Sequence, residues 1–110
     1  NYDGFDPKDP TTHIIFELFQ SAYRNQSVKF AEKVETNFEK HAGRSSRGVK
    51  QAGFLVLYRT TMPAVLIEAG FLTNPNEEIY LTSTSGQAKL AESIYNAFAA
   101  YKAEIDKEGK

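Results

Sequence analysis

The stretch MPAVLIEAGFLTNPNEE, residues 62–78, determines the fold that the sequence predicts. Residues 64–67, AVLI, contain no polar side chain, which is typical of a central strand covered on both faces. Pro63 favours extended geometry at the residue before it. The run closes on Glu68, with Gly70 two residues later, and a buried carboxylate is costly unless it has a partner or a chemical task. Glu68 is therefore the residue whose role needs an explanation.

The residues upstream of this stretch predict a long helical region followed by strands. Asp9 and Pro10 form a helix start, with the cap at Asp9 and proline in the first turn. Apolar residues recur at helical spacing up to residue 42, although YRNQS at 23–27 permits a break, and Gly43 fits a left-handed C-cap. VKQAGFLVLY, residues 49–58, is rich in β-branched and aromatic residues and predicts one or two strands.

The residues downstream predict two helices within 74–106. Asn74 and Glu77 form one capping box, and Thr84 and Gln87 form a second. The expected apolar face of the second helix comprises Leu90, Ala91, Ile94, Phe98, Tyr101 and Ile105. The expected organisation is thus a loop at 1–9, helix over 10–42, strands over 47–70 and helices over 74–106.

Helices before, between and after strands predict the α/β class, with a mixed, mostly parallel sheet flanked by helices. The chain supplies two or three predicted strands, whereas the commonest sheets hold about four to six. Its helices also carry more apolar surface than so few strands can cover. The predicted sheet is therefore incomplete.

Composition narrows the classes of function. The 110 residues suit one domain, and a net charge of −1 gives no electrostatic reason to expect nucleic acid or an anionic membrane. No apolar run approaches the roughly 20 residues that span a bilayer. The sequence has no cysteine, which excludes disulfides and thiolate metal sites.

Two interpretations of Glu68 follow from its placement. Most glutamates at strand ends are structural, since they pair with Arg or Lys, accept backbone N–H bonds or point into water. Alternatively, ligands of open α/β sheets bind beyond the carboxyl ends of the strands. A carboxylate at that position, partly desolvated, suits a general base. The local sequence leaves both interpretations open.

Two longer stretches carry a family resemblance. RGVKQAGFLVLYRTTMPAVLIEAGFLTNPNEE, residues 47–78, resembles the closing portion of the zinc-dependent N-acetylmuramoyl-L-alanine amidases, which end in a Glu-x-Gly-Phe-(Leu/Ile)-(Ser/Thr)-Asn signature. IIFELFQSAYRNQSVKFAEKV, residues 14–34, resembles the long helical segment of the periplasmic, cell-division branch of that family. The similarity covers about residues 12–105. One departure is Tyr58, where many relatives carry Arg or Lys.

The resemblance implies a zinc-exopeptidase-like fold and a specific reaction. Members of the family hydrolyse the amide between the lactyl group of N-acetylmuramic acid and the L-alanine of the stem peptide. Two histidines and a glutamate hold Zn²⁺, and a further glutamate, matched here by Glu68, acts as general acid/base. The Gly-His-Gly-Gly and Ser-(Ile/Leu)-His-Ala-Asn motifs that carry the histidine ligands are absent. We therefore expect the metal ligands upstream of Asn1, and the chain to be the C-terminal part of a catalytic domain, inactive on its own.

The resemblance also implies partners and a location. The expected partners are the stem peptide and glycan of peptidoglycan, with no nucleic acid, no membrane span and a monomeric state. In the periplasmic branch an insert can carry a helix that covers the active site until an activator protein displaces it, and residues 1–9 are a loop or the end of such an insert. The expected location is the bacterial cell envelope, periplasmic or secreted.

Other charged residues are weaker candidates. Arg47 and Lys50 precede the signature and are candidates for binding substrate carboxylates, although solvated structural charges are commoner. His13 and Glu17 are four residues apart and share a helical face, but a pair is too few for a tight metal site. His41 is better explained as a favourable cation at a helix C-terminus. The aromatic residues interpreted as core packing are Phe16, Phe19, Phe30, Phe38, Phe54, Phe71, Tyr95 and Phe98.

Two other classes of function stay open beside the enzyme. The first is a non-catalytic amidase-like module that binds peptidoglycan without cutting it. The second is a structural or interaction domain in which Glu68 is a satisfied buried acid.

Overall fold

The structure is a computed structural model that describes residues 8–50, 57, 60 and 62–109, apart from the side chains at 16, 19 and 20. Its regular elements are three helices: α1 (Pro10–His41), α2 (Pro75–Thr82) and α3 (Thr84–Glu108). Residues 62–71, which we call the linking segment, carry no helix or strand. Within the residues searched, no helix is both long and apolar enough to cross a membrane.

Helix α1 begins and ends where its capping residues predict. Asp9 Oδ1 accepts the Thr11 N–H at 2.9 Å, and Pro10 occupies the first turn. At the other end Gly43 has φ 64°, a left-handed geometry that glycine adopts without a Cβ clash, as predicted. The chain turns there, and the Arg44 N–H donates to Phe38 O at 2.9 Å. The break allowed at residues 23–27 does not occur, since α1 is continuous over 32 residues.

Helices α2 and α3 meet at a single serine. Asn74 caps α2 as predicted, because its Oδ1 accepts the N–H groups of Asn76 and Glu77. Helix α3 is capped by Ser83 instead of the predicted Thr84, since Ser83 Oγ accepts the Gly86 N–H at 2.9 Å. Ser83 has extended backbone, with φ −84° and ψ 146°, so the helix cannot run on from α2 into α3.

The core lies between α1 and α3, which run antiparallel. Lys29 near the middle of α1 contacts Glu104 and Glu108 near the end of α3, while Asn37 O accepts from Ser93 Oγ at 3.5 Å. The buried cluster comprises Val34, Phe38, Ala42, Leu90 and Ala97. The N-terminal part of α1 is less covered, since Ile14, Ile15 and Leu18 are all exposed.

Small residues decide which face of α3 is buried. Its buried residues are Gly86, Leu90, Ser93, Ala97 and Tyr101, and both Ser93 and Ala97 have no exposed surface. The predicted face was therefore partly wrong, because Ala91 and Phe98 are exposed. Short side chains at the interface allow the α1 surface to approach closely, which larger residues on a neighbouring face would prevent.

The predicted α/β sheet over residues 47–70 was wrong. Residues 47–50 and the linking segment contain no strand, and the rest of the part the structure describes is helical or irregular. A strand needs a neighbour that accepts and donates backbone hydrogen bonds. In the linking segment Ala64, Ala69 and Phe71 bond instead to side chains from other parts of the chain. The predicted strand residues 51–56, 58 and 59 lie outside the described residues.

The aromatic residues do not all pack as predicted. Phe38 is buried, and Phe30 packs against the core, with its ring centroid 5.2 Å from that of Tyr101. Phe71, Tyr95 and Phe98 are exposed, so their assignment to the core was wrong. Phe54 and the side chains of Phe16 and Phe19 lie outside the described residues.

We predict that Ala97→Leu destabilises the fold, because Ala97 is fully buried between α1 and α3. Three added heavy atoms at a closely packed position should lower the free energy of unfolding by about 1–3 kcal/mol. Ala100→Leu on the exposed surface of the same helix is the matched control. Urea unfolding followed by circular dichroism measures both, and equal losses for the two variants would contradict this packing.

We predict that Glu104→Gln reduces the loss of stability in acid. The hydrogen bond from Lys33, followed by its charge, lowers the pKa of Glu104. A carboxyl whose pKa is lower in the folded state stabilises the protein at higher pH and loses this contribution as it is protonated. The wild type should therefore lose more stability than Glu104→Gln between about pH 5 and pH 3.

Thermal unfolding across that pH range at low and high salt measures this difference. Glu92→Gln, at an exposed position on α3, is the control and should follow the wild type. The difference should shrink at high salt, because the Lys33–Glu104 pair is partly exposed. Parallel pH profiles for wild type and Glu104→Gln would rule the contribution out.

Candidate functional site

A groove of about 630 Å³ lies between α1 and the linking segment. The side chains of α1 that line it include Val28, Ala31, Val34 and Phe38, and the linking segment contributes Val65 and Ile67. Charged residues are also present along the groove, namely Arg24, Glu35, Arg47, Lys50 and Glu68. An apolar floor with a few charged groups is the usual composition of a ligand site.

Glu68 lines this groove, and its side chain is exposed. The expectation of partial desolvation was therefore wrong, because no strand among the described residues covers residues 64–67, and Leu66 is itself 45% exposed. Among the described residues its carboxylate has no hydrogen-bond or ion-pair partner. Its role as a general acid/base stays a prediction.

A second carboxylate, Glu77, is more enclosed and lies at the centre of a charged cluster. Its Oε2 accepts the Phe71 N–H at 2.5 Å, and its Oε1 accepts from Arg47 Nη2 at 2.6 Å. Arg44 Nη2 lies 3.6 Å from the same Oε1 and donates to Ala69 O at 3.1 Å. The side chains of Arg44 and Glu77 are 17% and 15% exposed. This cluster therefore holds the backbone immediately after Glu68.

Each member of the cluster is placed by a local feature of the fold. Arg44 follows the left-handed Gly43 at the end of α1, and its guanidinium lies 4.7 Å from the centroid of the Tyr80 ring. The Tyr80 hydroxyl donates to Ala42 O at 2.8 Å, which joins α2 to the end of α1. The Arg47 guanidinium lies 4.2 Å from the centroid of the Phe71 ring. Such cation–π contacts stabilise a guanidinium that is partly removed from water.

The main contact of Glu77 differs from the one that the sequence pattern predicts. The capping box predicts that its carboxylate returns to the backbone N–H of Asn74. In the structure the Asn74 N–H donates to Phe71 O at 3.1 Å, and Glu77 accepts from Phe71 N–H instead. The sequence pattern also did not predict a role for Arg44. The feature that could have indicated one is a pair of arginines, at 44 and 47, directly after the predicted end of a helix.

Comparison with known proteins identifies the family. The profile of the N-acetylmuramoyl-L-alanine amidase family matches residues 6–100, which include α1, the linking segment and most of α3. The chain belongs to this amidase family. The profile match covers Glu68, the groove and the Glu77 cluster together. No solved structure matches the chain.

Several curated proteins are similar to this amidase-family chain. The N-acetylmuramoyl-L-alanine amidase AmiC of Escherichia coli O6:H1 is 35% identical over 92 residues, which are 84% of this chain and 22% of AmiC. The amidase AmiA of Salmonella typhimurium is 32% identical over 88 residues, 80% of this chain and 30% of AmiA. The probable cell wall amidase LytH of Staphylococcus saprophyticus is 29% identical over 82 residues, 74% of this chain and 28% of LytH. The chain thus spans less than a third of these relatives.

The described residues do not fit the zinc site that the family resemblance implies. The sequence has two histidines, His13 and His41, which lie near opposite ends of α1. Their 28-residue separation along one continuous helix corresponds to roughly 40 Å, far too long for a shared metal ion. Among the residues searched, no three His, Cys, Asp or Glu side chains form a group that could hold a metal.

The two substrate-binding candidates differ in their surroundings. Arg47 is paired with Glu77 and covers Phe71, so it already has a carboxylate partner within the protein. Lys50 is exposed and lines the groove. A role in binding substrate stays a prediction for both.

We predict that Gly70→Ala disrupts the cluster, because a Cβ at this position would lie 2.8 Å from Arg44 Nη2 and 3.3 Å from Glu77 Oε2. Arg44 Nη2, at the end of a flexible side chain, would have to shift and weaken its bond to Ala69 O, with a loss of about 0.5–1.5 kcal/mol in the free energy of unfolding. Gly109→Ala is the control, since its Cβ would make contacts of 3.5 Å or longer. Denaturant unfolding compares the two, and a Gly70→Ala variant as stable as Gly109→Ala would refute this close approach.

Proposed function

We propose that this chain contributes the proton-transferring carboxylate, Glu68, to the hydrolysis of the amide bond between N-acetylmuramic acid and L-alanine in peptidoglycan. The observation that carries the proposal is the position of Glu68. It lies within the Glu-x-Gly-Phe signature and lines a groove on a chain whose family match covers residues 6–100. Similarity to AmiC and AmiA, both named as N-acetylmuramoyl-L-alanine amidases, supports this choice of substrate bond.

In this proposal Glu68 carries one proton through the reaction. Its carboxylate accepts the proton of a water molecule as the water oxygen attacks the amide carbonyl carbon. The C–N bond then breaks, and Glu68 returns the proton to the nitrogen of the leaving L-alanine, so the carboxylate is regenerated. A carboxylate that has no ion pair among the described residues suits this role, because no cation of that part of the chain has to be displaced before it acts.

The groove supports the binding of an extended substrate beside Glu68. Its apolar floor suits the methyl groups of lactyl and alanyl units, and Lys50 is an exposed cation for a stem-peptide carboxylate. We propose that the 110 residues form the C-terminal portion of a single amidase catalytic domain.

Zinc is part of the proposal only as a cofactor of the whole enzyme. Among the described residues no group of side chains could hold it, and we propose that its ligands lie outside these residues. When bound, zinc would supply Lewis-acid activation of water and carbonyl. We also propose a location in the cell envelope, periplasmic or secreted, which the name of the relative LytH, a probable cell wall amidase, supports.

We predict that Glu68→Gln in the full-length protein lowers kcat by about 100- to 10,000-fold, as expected when a general acid/base is lost. Thermal stability should change little, because the side chain is exposed. Glu78→Gln, an exposed residue outside the groove lining, should keep wild-type activity. The measurement is the release of stem peptides from purified peptidoglycan.

Two results would reject the proposal. Release of stem peptides by Glu68→Gln at the wild-type rate would show that the carboxylate transfers no proton. Retention of the wild-type protein on cell walls without any peptide release, even with zinc supplied, would favour a non-catalytic binding module.

A further inference from the structure

We propose that Glu77 and Arg44 are positioning residues for Glu68. Together they form what we call the clamp: they hold the backbone of residues 69–71 and so determine the position of the Glu68 carboxylate in the groove. The inference rests on the proposed function, since it assumes that Glu68 transfers the proton. It assigns Glu77 and Arg44 no contact with substrate.

The clamp acts on both sides of Gly70. Arg44 Nη2 donates to Ala69 O, and the Phe71 N–H donates to Glu77 Oε2, so the peptide planes before and after the glycine are both held. Glycine has more backbone freedom than any other residue. Without these two bonds, the chain that follows Glu68 would therefore lose its fixed direction.

The clamping side chains are themselves anchored. Glu77 lies in the first turn of α2, where the partial positive charge of the helix N-terminus favours a carboxylate. Both Arg44 and Arg47 face it, at 3.6 Å and 2.6 Å. Arg44 is oriented in turn by the turn at Gly43 and by the face of the Tyr80 ring. The clamp therefore joins the end of α1 to the start of α2.

Glu68 depends on this clamp because its carboxylate has no partner of its own among the described residues. The start of the linking segment is held by the Ala64 N–H, which donates to Ser27 Oγ of α1 at 2.9 Å. Ser27 and the Glu77–Arg44 clamp thus fix the two ends of the segment that carries Glu68. A misplacement of about 1 Å in a reacting group can reduce the rate on the order of 100-fold.

The test compares two neighbouring glutamates of α2 in the full-length amidase. Glu77→Ala removes the acceptor of the Phe71 N–H and the anion that faces Arg44, whereas Glu78→Ala removes an exposed carboxylate from the next position and is the matched control. We expect Glu77→Ala to lower kcat by about 10- to 100-fold, with KM changed less than threefold, and Glu78→Ala to match the wild type. Arg44→Ala should resemble Glu77→Ala, and the double variant should lose much less than the product of the two single losses.

A second variant is needed in case Glu77→Ala does not fold. Glu77→Gln keeps the volume of the side chain and one oxygen acceptor, but it cannot accept from Phe71 and from the arginines at once. If Glu77→Ala unfolds, the Glu77→Gln variant carries the test, with an expected loss of kcat of about 3- to 10-fold.

The decisive measurement repeats Glu77→Ala, or Glu77→Gln, in the Glu68→Gln background. Once the base is gone, removal of a positioning residue should lower kcat no further, so the double variant should match Glu68→Gln alone. A further loss by the same factor as in the wild-type background would show a merely structural role and overturn the inference.

The remaining outcomes separate the two proposals. Full activity of the Glu77 variants beside an inactive Glu68→Gln would overturn the inference and leave the proposed function standing. Full activity of Glu68→Gln would overturn the proposed function, and the positioning role would fall with it.

Discussion

Two hydrogen bonds around Gly70, one from a guanidinium and one to a carboxylate, hold the linking segment against the helices. They replace the backbone ladder that a neighbouring strand would supply, since Arg44 occupies Ala69 O and Glu77 occupies the Phe71 N–H. Charge-assisted bonds of this kind are roughly twice as strong as neutral ones. The position of the groove follows from them, because the linking segment forms one of its walls.

The carboxylate of the charged cluster is well compensated, whereas its two guanidinium groups share that one negative charge, and Arg44 Nε is buried without a hydrogen-bond partner among the described residues. Glu77 is largely enclosed but meets two guanidinium groups and a backbone N–H. The arginines in turn cover the faces of Tyr80 and Phe71, which limits their loss of hydration energy. Removal of one partner would leave the others poorly compensated, which is more costly than the net energy of the intact pair. The cluster therefore behaves as a unit that connects three separate parts of the chain.

Helix α1 serves both the core and the groove. Val34 and Phe38 belong to the buried cluster with α3 and also line the groove. Since interiors are closely packed, a change in the α1–α3 contact shifts the same side chains that shape the groove. The long continuous helix thus links the packing of α3 to the groove that Glu68 lines.

The helix boundaries were predictable from the sequence because each depends on groups within a few residues. Asp9 and Asn74 cap through N–H groups two or three residues ahead, and the turn at Gly43 follows from its missing Cβ. The start of α3 was misplaced by one residue, because Ser83 and Thr84 both offer a hydroxyl and the extended backbone at Ser83 decides between them. The family was equally readable, since its signature is a contiguous stretch of chain.

Contacts between distant residues decided what the sequence pattern could not. Whether residues 64–67 form a strand depends on a partner elsewhere, and in the structure their segment bonds to side chains instead. The carboxylate of Glu77 has two local donors available, Phe71 N–H and Asn74 N–H, and the approach of Arg44 and Arg47 decides between them. Glu68 lines a groove because α1 lies across from it. The local sequence pattern around Glu68 does not reveal which distant element lies opposite.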